Sequence, residues 1–158
     1  GVVPLHRGTK GGKGKTARAV TTKLDLDENL PRIPADPGRL RQVLHNLLLN
    51  ATDALAATAS PLLHIATRCV DEAGGRFVEL RVRDNGPGFA PSVMDHLFEP
   101  YVTTKDKGTG LGLAIVKKVV EEHNGTLAAA NLQDGGASLA ILLPASPALA
   151  AVARGRNT

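Results

Sequence analysis

Tryptophan is absent from the 158 residues, tyrosine occurs once (Tyr101), and phenylalanine three times (Phe77, Phe89, Phe98). With 42% apolar residues the chain can still bury a core, but one built from Leu, Val, Ile and Ala. The single cysteine, Cys69, excludes an intrachain disulfide and fits a reducing compartment. No apolar run approaches the ~20 residues that span a bilayer, and no signal-peptide pattern opens the chain. The expectation is a cytoplasmic domain with no direct membrane contact, any anchor of a longer protein lying outside these residues.

Acidic residues are missing from the first 23 positions, which hold Arg7, Lys10, Lys13, Lys15, Arg18 and Lys23. Arg154 and Arg156 add two more cations at the far end. Positions 24–153 carry 11 Lys and Arg against 15 Asp and Glu, so the net charge of +4 belongs to the termini. A nucleic-acid surface would place that charge on the folded body, so no nucleic-acid partner is expected. Gly8–Lys15 (GTKGGKGK) lacks the GxxxxGK[ST] spacing of a phosphate loop, and no apolar strand precedes it. Residues 1–19 are read as a flexible basic linker or expression remnant, 20–145 as the domain, and 146–158 as an Ala/Pro-rich basic tail.

Within the domain, Val20–Leu26 alternates as a strand. Asp36-Pro37 opens a helix running to about Ala57, with Asp36 as N-cap. Its apolar stripe reads Leu40, Leu44, Leu47, Leu48, Ala51, Leu55. Leu62–Val70 and Phe77–Arg83 are strands around the Gly74-Gly75 turn. An irregular stretch from Asp84 to Gly110 holds at most a short helix near Ser92–Leu97. Leu111–His123 is a helix stopped by Asn124-Gly125. Thr126–Asn131 and Ser138–Leu143 form a hairpin around Asp134-Gly135-Gly136. The expected fold is an α/β two-layer sandwich: helices over one face of a mixed, mostly antiparallel sheet.

Chemistry concentrates in four places. Asn46, Asn50 and Asp53, at steps of four and three, share one helix face within about 60°. They offer oxygen ligands suited to Mg²⁺, or simply a solvated polar face. Asp84 continues the inward parity of Val78, Leu80 and Val82, and the Gly86 and Gly88 that follow leave room beside it. Such a carboxylate suits an amine-bearing ring, or it caps its own turn. Gly108-Thr109-Gly110-Leu111-Gly112-Leu113 leads into a helix whose N-terminal amides favour an anion, with Lys105 and Lys107 just before it. The alternative is a flexible loop and cap. Phe98 and Tyr101 sit in a long loop of the kind that forms lids.

In this order, Asn46–Asp53 (NLLLNATD), Asp84–Gly88 (DNGPG), Phe98–Tyr101 (FEPY) and Gly108–Leu113 (GTGLGL) resemble the N, G1, F and G2 boxes of sensor histidine kinases. Asp134–Ala137 (DGGA) is similar to their last glycine turn, and the resemblance covers about Val20–Pro144. Glu99–Leu113 resembles the nitrogen-regulation sensor kinases in particular. The resemblance implies a Bergerat-type fold with a flexible ATP lid. It implies ATP and Mg²⁺ as cofactors, with Asn50 on the metal and Asn46 at the phosphates or metal shell. Asp84 would meet the adenine amine, beside Gly86 and Gly88. Gly110 and Gly112, with Gly108, Thr109 and Leu111, would hold the phosphates. Thr104 and Lys105 would act from the lid, with Lys107 an alternative cation and Tyr101 near adenine or ribose, and Asp53 would join Asn46 and Asn50 in binding ATP. Asn46, Asn50 and Lys105 are the implied catalytic residues. The implied reaction is γ-phosphoryl transfer to a histidine on the protein's own dimerisation and phosphoacceptor domain, then relay to a response-regulator aspartate.

Two departures stand out. Asp53 occupies a position where many members carry Lys or Arg. None of His6, His45, His64, His96 and His123 lies in a His-Glu/Asp-x-x-Asn/Thr-Pro context, so the acceptor is expected elsewhere. An ATP-hydrolysing machine of the gyrase or Hsp90 kind would place Glu where Asn46 stands, leaving this chain without that general base. A degenerate module that only docks would not need all the nucleotide motifs intact.

Overall fold

The computed structural model describes residues 2–5, 19–72, 75–101 and 112–145. Its elements run β1 (Val2–Leu5), β2 (Val20–Leu26), α1 (Pro37–Ala54), β3 (Leu62–Glu72), β4 (Gly75–Asp84), α2 (Pro91–Met94), α3 (Gly112–Glu122), β5 (Thr126–Asn131) and β6 (Ala137–Pro144). One six-stranded sheet has the order β1-β2-β3-β4-β6-β5. Among the described residues only the β2–β3 pair is parallel, joined across α1, and the other four are antiparallel. The mixed, mostly antiparallel sheet is therefore as expected. The addition is β1, which pairs Val2 with Lys23 and Leu5 with Val20 in a stretch read from sequence as linker. The glycine-rich segment within 6–18 and the tail from 146 on lie outside the described residues.

Helix α1 begins as its sequence dictates. Asp36 Oδ1 accepts the backbone N–H of Gly38 at 2.9 Å and of Arg39 at 3.4 Å, satisfying two otherwise orphaned donors. The helix ends at Ala54 rather than near Ala57. There the N–H groups of Leu55, Ala56 and Thr58 bond three residues back, tightening the last turn. Its buried stripe is Val43, Leu47, Ala51 and Leu55, with Leu40 and Leu48 partly buried. Leu44, expected in that stripe, is 38% exposed. The stripe is thus rotated toward Val43, which sets Asn50 only about 20° from it. Asn50 therefore adjoins the buried stripe, while Asp53 is exposed.

Helix α3 packs Val116, Val119 and Val120, all fully buried, against α1 and the sheet. Its stop uses Asn124 as the left-handed residue (φ 60°), and Gly125 N–H reaches back to Val120 O at 2.9 Å. Gly125 is glycine for another reason: a Cβ there would lie 2.4 Å from Leu142 O. Under the helices the sheet presents Leu63, Val78, Val82, Leu139, Ile141 and Leu143. Burying each such side chain contributes roughly 1.5–3 kcal/mol, so this aliphatic layer replaces the missing aromatics. Leu97 joins the core and Phe98 packs on its edge.

On the other face of the sheet Glu79 is 8% exposed. Its carboxylate accepts Arg68 Nε at 3.0 Å and Arg81 Nε at 3.3 Å. Burial pushes this carboxyl up, and the two guanidinium groups outweigh burial, holding its pKa below the ordinary glutamate value.

Candidate nucleotide site

One row across the end of the sheet organises the site. Leu63 pairs with Asp84, Asp84 with Ala137, and Ala137 with Asn131, so all four stand at one level of adjacent strands. Paired residues share a face. Asp84 is 7% exposed and continues the inward side of β4, as its parity requires. Its Oδ1 accepts the N–H of Gly86 at 2.9 Å, so the carboxylate does cap its own turn while standing at the sheet's mouth.

The loop beyond Asp84 is closely packed. A Cβ on Gly86 would lie 2.8 Å from Ala54 O at the end of α1. Gly88 has φ +81°, and a Cβ on it would lie 2.8 Å from Asn131 Oδ1. Gly136 has φ +102°, and a Cβ there would lie 2.0 Å from Asp84 O. These glycines are required by close approach of the protein to itself. Asn85 ties the loop to β3: its Oδ1 accepts Leu62 N–H at 2.7 Å and its Nδ2 donates to Ser60 O at 3.0 Å.

The polar face of α1 meets the start of α3 at Asn46 and Gly112. A Cβ on Gly112 would stand 3.9 Å from Asn46 Oδ1, an ordinary contact. Asn46 Nδ2 is buried and has no hydrogen-bond partner among the described residues. A buried carboxamide donor without a protein partner, next to a helix start, fits an anionic group such as a phosphate. Asn50 is half-buried on the same face, and Asp53 is exposed further along it. The Asn46 and Asn50 oxygens are the hard donors Mg²⁺ takes.

The structure places Asn46 beside Gly112, and Asp84 beside Gly86, which packs on Ala54 at the end of α1; Gly88 packs on Asn131, and Asn50 lies on the α1 face that carries Asn46. Tyr101 is 78% exposed with φ +67°, while Phe98 packs inward, so the two aromatics of FEPY part company. Thr104, Lys105, Lys107, Gly108, Thr109, Gly110 and Leu111 lie outside the described residues, as does most of the expected lid. Asn85 and Asn131 received no role from sequence. The signal was available: Asn is depleted in strands, and Asn131 ends a run of alanines in β5.

Among the described residues, three histidines have partners. His64 Nε2 meets Asp25 at 2.6 Å, His96 meets Glu99, and His123 bonds Asp36 N and Val119 O. No described helix is long and apolar enough to cross a membrane.

Comparison with known proteins gives the family. Residues 35–147 match the family described as histidine kinase-, DNA gyrase B- and HSP90-like ATPases. Sensor histidine kinase ZraS of Escherichia coli K12 is 39% identical over 128 residues, 81% of this chain and 26% of that protein. The sensory histidine kinase/phosphatase NtrB of Rhizobium meliloti is 36% identical over 149 residues, 88% of this chain and 39% of that protein. The chain thus spans about a quarter to two-fifths of these relatives. The solved catalytic domain of histidine kinase ThkA superposes with a TM-score of 0.69 at 29% identity, covering 82% of each chain. The chain belongs to the histidine kinase-, DNA gyrase B- and HSP90-like ATPase family, on the branch of the sensor histidine kinase catalytic domains.

Proposed function

We propose that this domain binds Mg·ATP and transfers its γ-phosphoryl group to a histidine on a separate dimerisation and phosphoacceptor domain, for relay to a response-regulator aspartate. The observation that carries the reading is Asn46, whose buried Nδ2 has no partner among the described residues and whose Oδ1 lies beside Gly112 at the start of α3. Asp84 suits the amino group of adenine, and the amides at the start of α3 suit phosphate oxygens. Asn50 would hold Mg²⁺, whose charge offsets the phosphate charge as the bond to ADP breaks. The attacking nucleophile is an imidazole nitrogen supplied by the partner domain, so this chain works by positioning and by neutralising charge. Asn46 stands where a hydrolysing relative would need a carboxylate base, and this favours transfer over hydrolysis.

The test uses γ-labelled ATP. The chain alone should acquire no acid-labile label, and a histidine-bearing dimerisation domain added to it should become labelled. Asn50→Ala should remove that labelling and the Mg²⁺-dependent part of ATP affinity. Rapid labelling of the isolated chain, or an undiminished Mg²⁺ effect in the variant, contradicts the reading.

A further inference from the structure

Asn131 stands at the end of β5, two strands away from Asp84 in the same row, with Ala137 between them. Its carboxamide grips both backbone groups of one residue. Oδ1 accepts Phe89 N–H at 2.7 Å, and Nδ2 donates to Phe89 O at 3.0 Å. A carboxamide carries donor and acceptor side by side, so it imitates a neighbouring strand to a segment that has none. Gly88 is shaped to it: a Cβ there would also lie 3.2 Å from Asn131 Cγ. At the other end, Asn85 makes the equivalent double bond to the Ser60–Leu62 backbone. The loop from Asp84 to Phe89 is therefore clamped on both sides by an asparagine.

We propose that Asn131 is a positioning residue of the nucleotide site: by holding Phe89 and the turn at Gly88 it sets the loop that follows Asp84, whose Gly86 N–H the Asp84 carboxylate binds, before any ligand arrives. Asn131 acts through the loop. A glycine- and proline-rich loop without this clamp would have to be ordered at binding, which lowers affinity. The role concerns the base end of the site. Its removal should weaken ADP and ATP alike and leave the contribution of Mg²⁺ untouched. The inference rests on the nucleotide reading given above.

The experiment takes the 158-residue chain with Asn131→Leu and Asn131→Asp. Calorimetry measures ADP, ATP and GTP binding with and without Mg²⁺, and thermal melts report folding. Asn131→Leu should weaken ADP and ATP by the same factor, about three- to tenfold, and narrow the ATP/GTP ratio, with the Mg²⁺ increment unchanged. Asn131→Asp keeps the acceptor for Phe89 N–H but turns a second oxygen toward Phe89 O. It should bind weakly at neutral pH, and its affinity relative to wild type at each pH should recover on acidification, when the protonated carboxyl regains a donor. Variants that melt earlier yet bind within twofold of wild type would make Asn131 a fold staple and overturn the proposal. A loss confined to the Mg²⁺-dependent component would overturn it too. A wild-type chain that binds no nucleotide would sink the functional reading itself, a result distinct from equal binding by wild type and variants.

Discussion

His123 fastens the end of α3 to the start of α1: its Nε2 accepts the backbone N–H of Asp36 at 3.2 Å, and its Nδ1 donates to Val119 O at 2.7 Å. The two bonds require the neutral ring with its proton on Nδ1. Arg39 and Glu122 form an ion pair beside this contact. Helices α1 and α3 carry Asn46 and Gly112, so the clasp fixes the spacing of the two elements that meet at the site. His123→Phe keeps the ring's bulk and loses both bonds. It should lower unfolding free energy by about 1–2 kcal/mol, read by urea denaturation with an unchanged slope. Stability equal to wild type would mean the two helices are held by apolar packing alone.

The glycine turn between β5 and β6 offers a contrast of neighbours. Gly135 and Gly136 have φ of +100° and +102°, so alanine is strained at both. A Cβ on Gly135 meets nothing within 4 Å, whereas one on Gly136 would lie 2.0 Å from Asp84 O and 3.0 Å from Asn85 Cα. Gly135→Ala should cost about 1–2 kcal/mol from backbone strain. Gly136→Ala should cost about twice that or more and weaken nucleotide binding as well, because it displaces the backbone of Asp84. Equal destabilisation in paired melts would show that the turn moves away from β4 without consequence.

Periodicity and punctuation made most of this fold legible. Val20–Leu26 coincides with its expected strand, Asp36 caps α1, and Asn124-Gly125 stops α3. Misplaced features depend on distant partners. Leu44 fits the helical period of the stripe, but the stripe's placement is set by what α3 and the sheet cover, and that selects Val43. β1 had no signal of its own, because a four-residue edge strand among charged and glycine residues is defined by pairing with β2. In the site, the inward aim of Asp84 followed from strand parity. The roles of Asn85 and Asn131 did not: an asparagine in a strand marks position 131 but not its partner Phe89, 42 residues away, and the partners of Asn85 lie 23 and 25 residues away.

Glu79 makes stability depend on pH with a defined sign. Its folded pKa lies below its ordinary 4.5, because hydrogen bonds from Arg68 and Arg81 outweigh desolvation by burial. A depressed carboxyl contributes stability that is complete above the unfolded pKa and is lost as pH falls through the folded one. Wild type should therefore exceed Glu79→Gln in stability at neutral pH. The excess should be about 1 kcal/mol, given that Arg68 is 64% exposed. It should shrink as pH drops from 4.5 downward. Denaturant midpoints for both proteins across pH 7 to about pH 3.5 read the difference. A gap that stays constant through that range would mean the carboxylate's charge contributes nothing.

Asp84→Ala tests the base end of the site directly. In the folded chain Asp84 is 7% exposed and its carboxylate accepts Gly86 N–H at 2.9 Å, so it has a turn to hold as well as a ligand to meet. The two roles separate by measurement. Losing a turn cap lowers stability by about 1 kcal/mol and shows in the melt of the unliganded protein. Losing a charged acceptor for the adenine amine costs ~1.5–3 kcal/mol of binding, which is roughly ten- to a hundredfold in affinity. Guanine presents a carbonyl where adenine presents its amine, so wild type should reject GTP by lone-pair repulsion. The variant should then lose far more affinity for ATP than for GTP, and the ratio between them should narrow. Calorimetry with both nucleotides, below the melting temperature of either protein, reads the recognition term alone. If the variant bound ATP as tightly as wild type while melting earlier, Asp84 would be a turn cap only. The adenine pocket would then have to lie away from the row that joins Leu63, Asp84, Ala137 and Asn131.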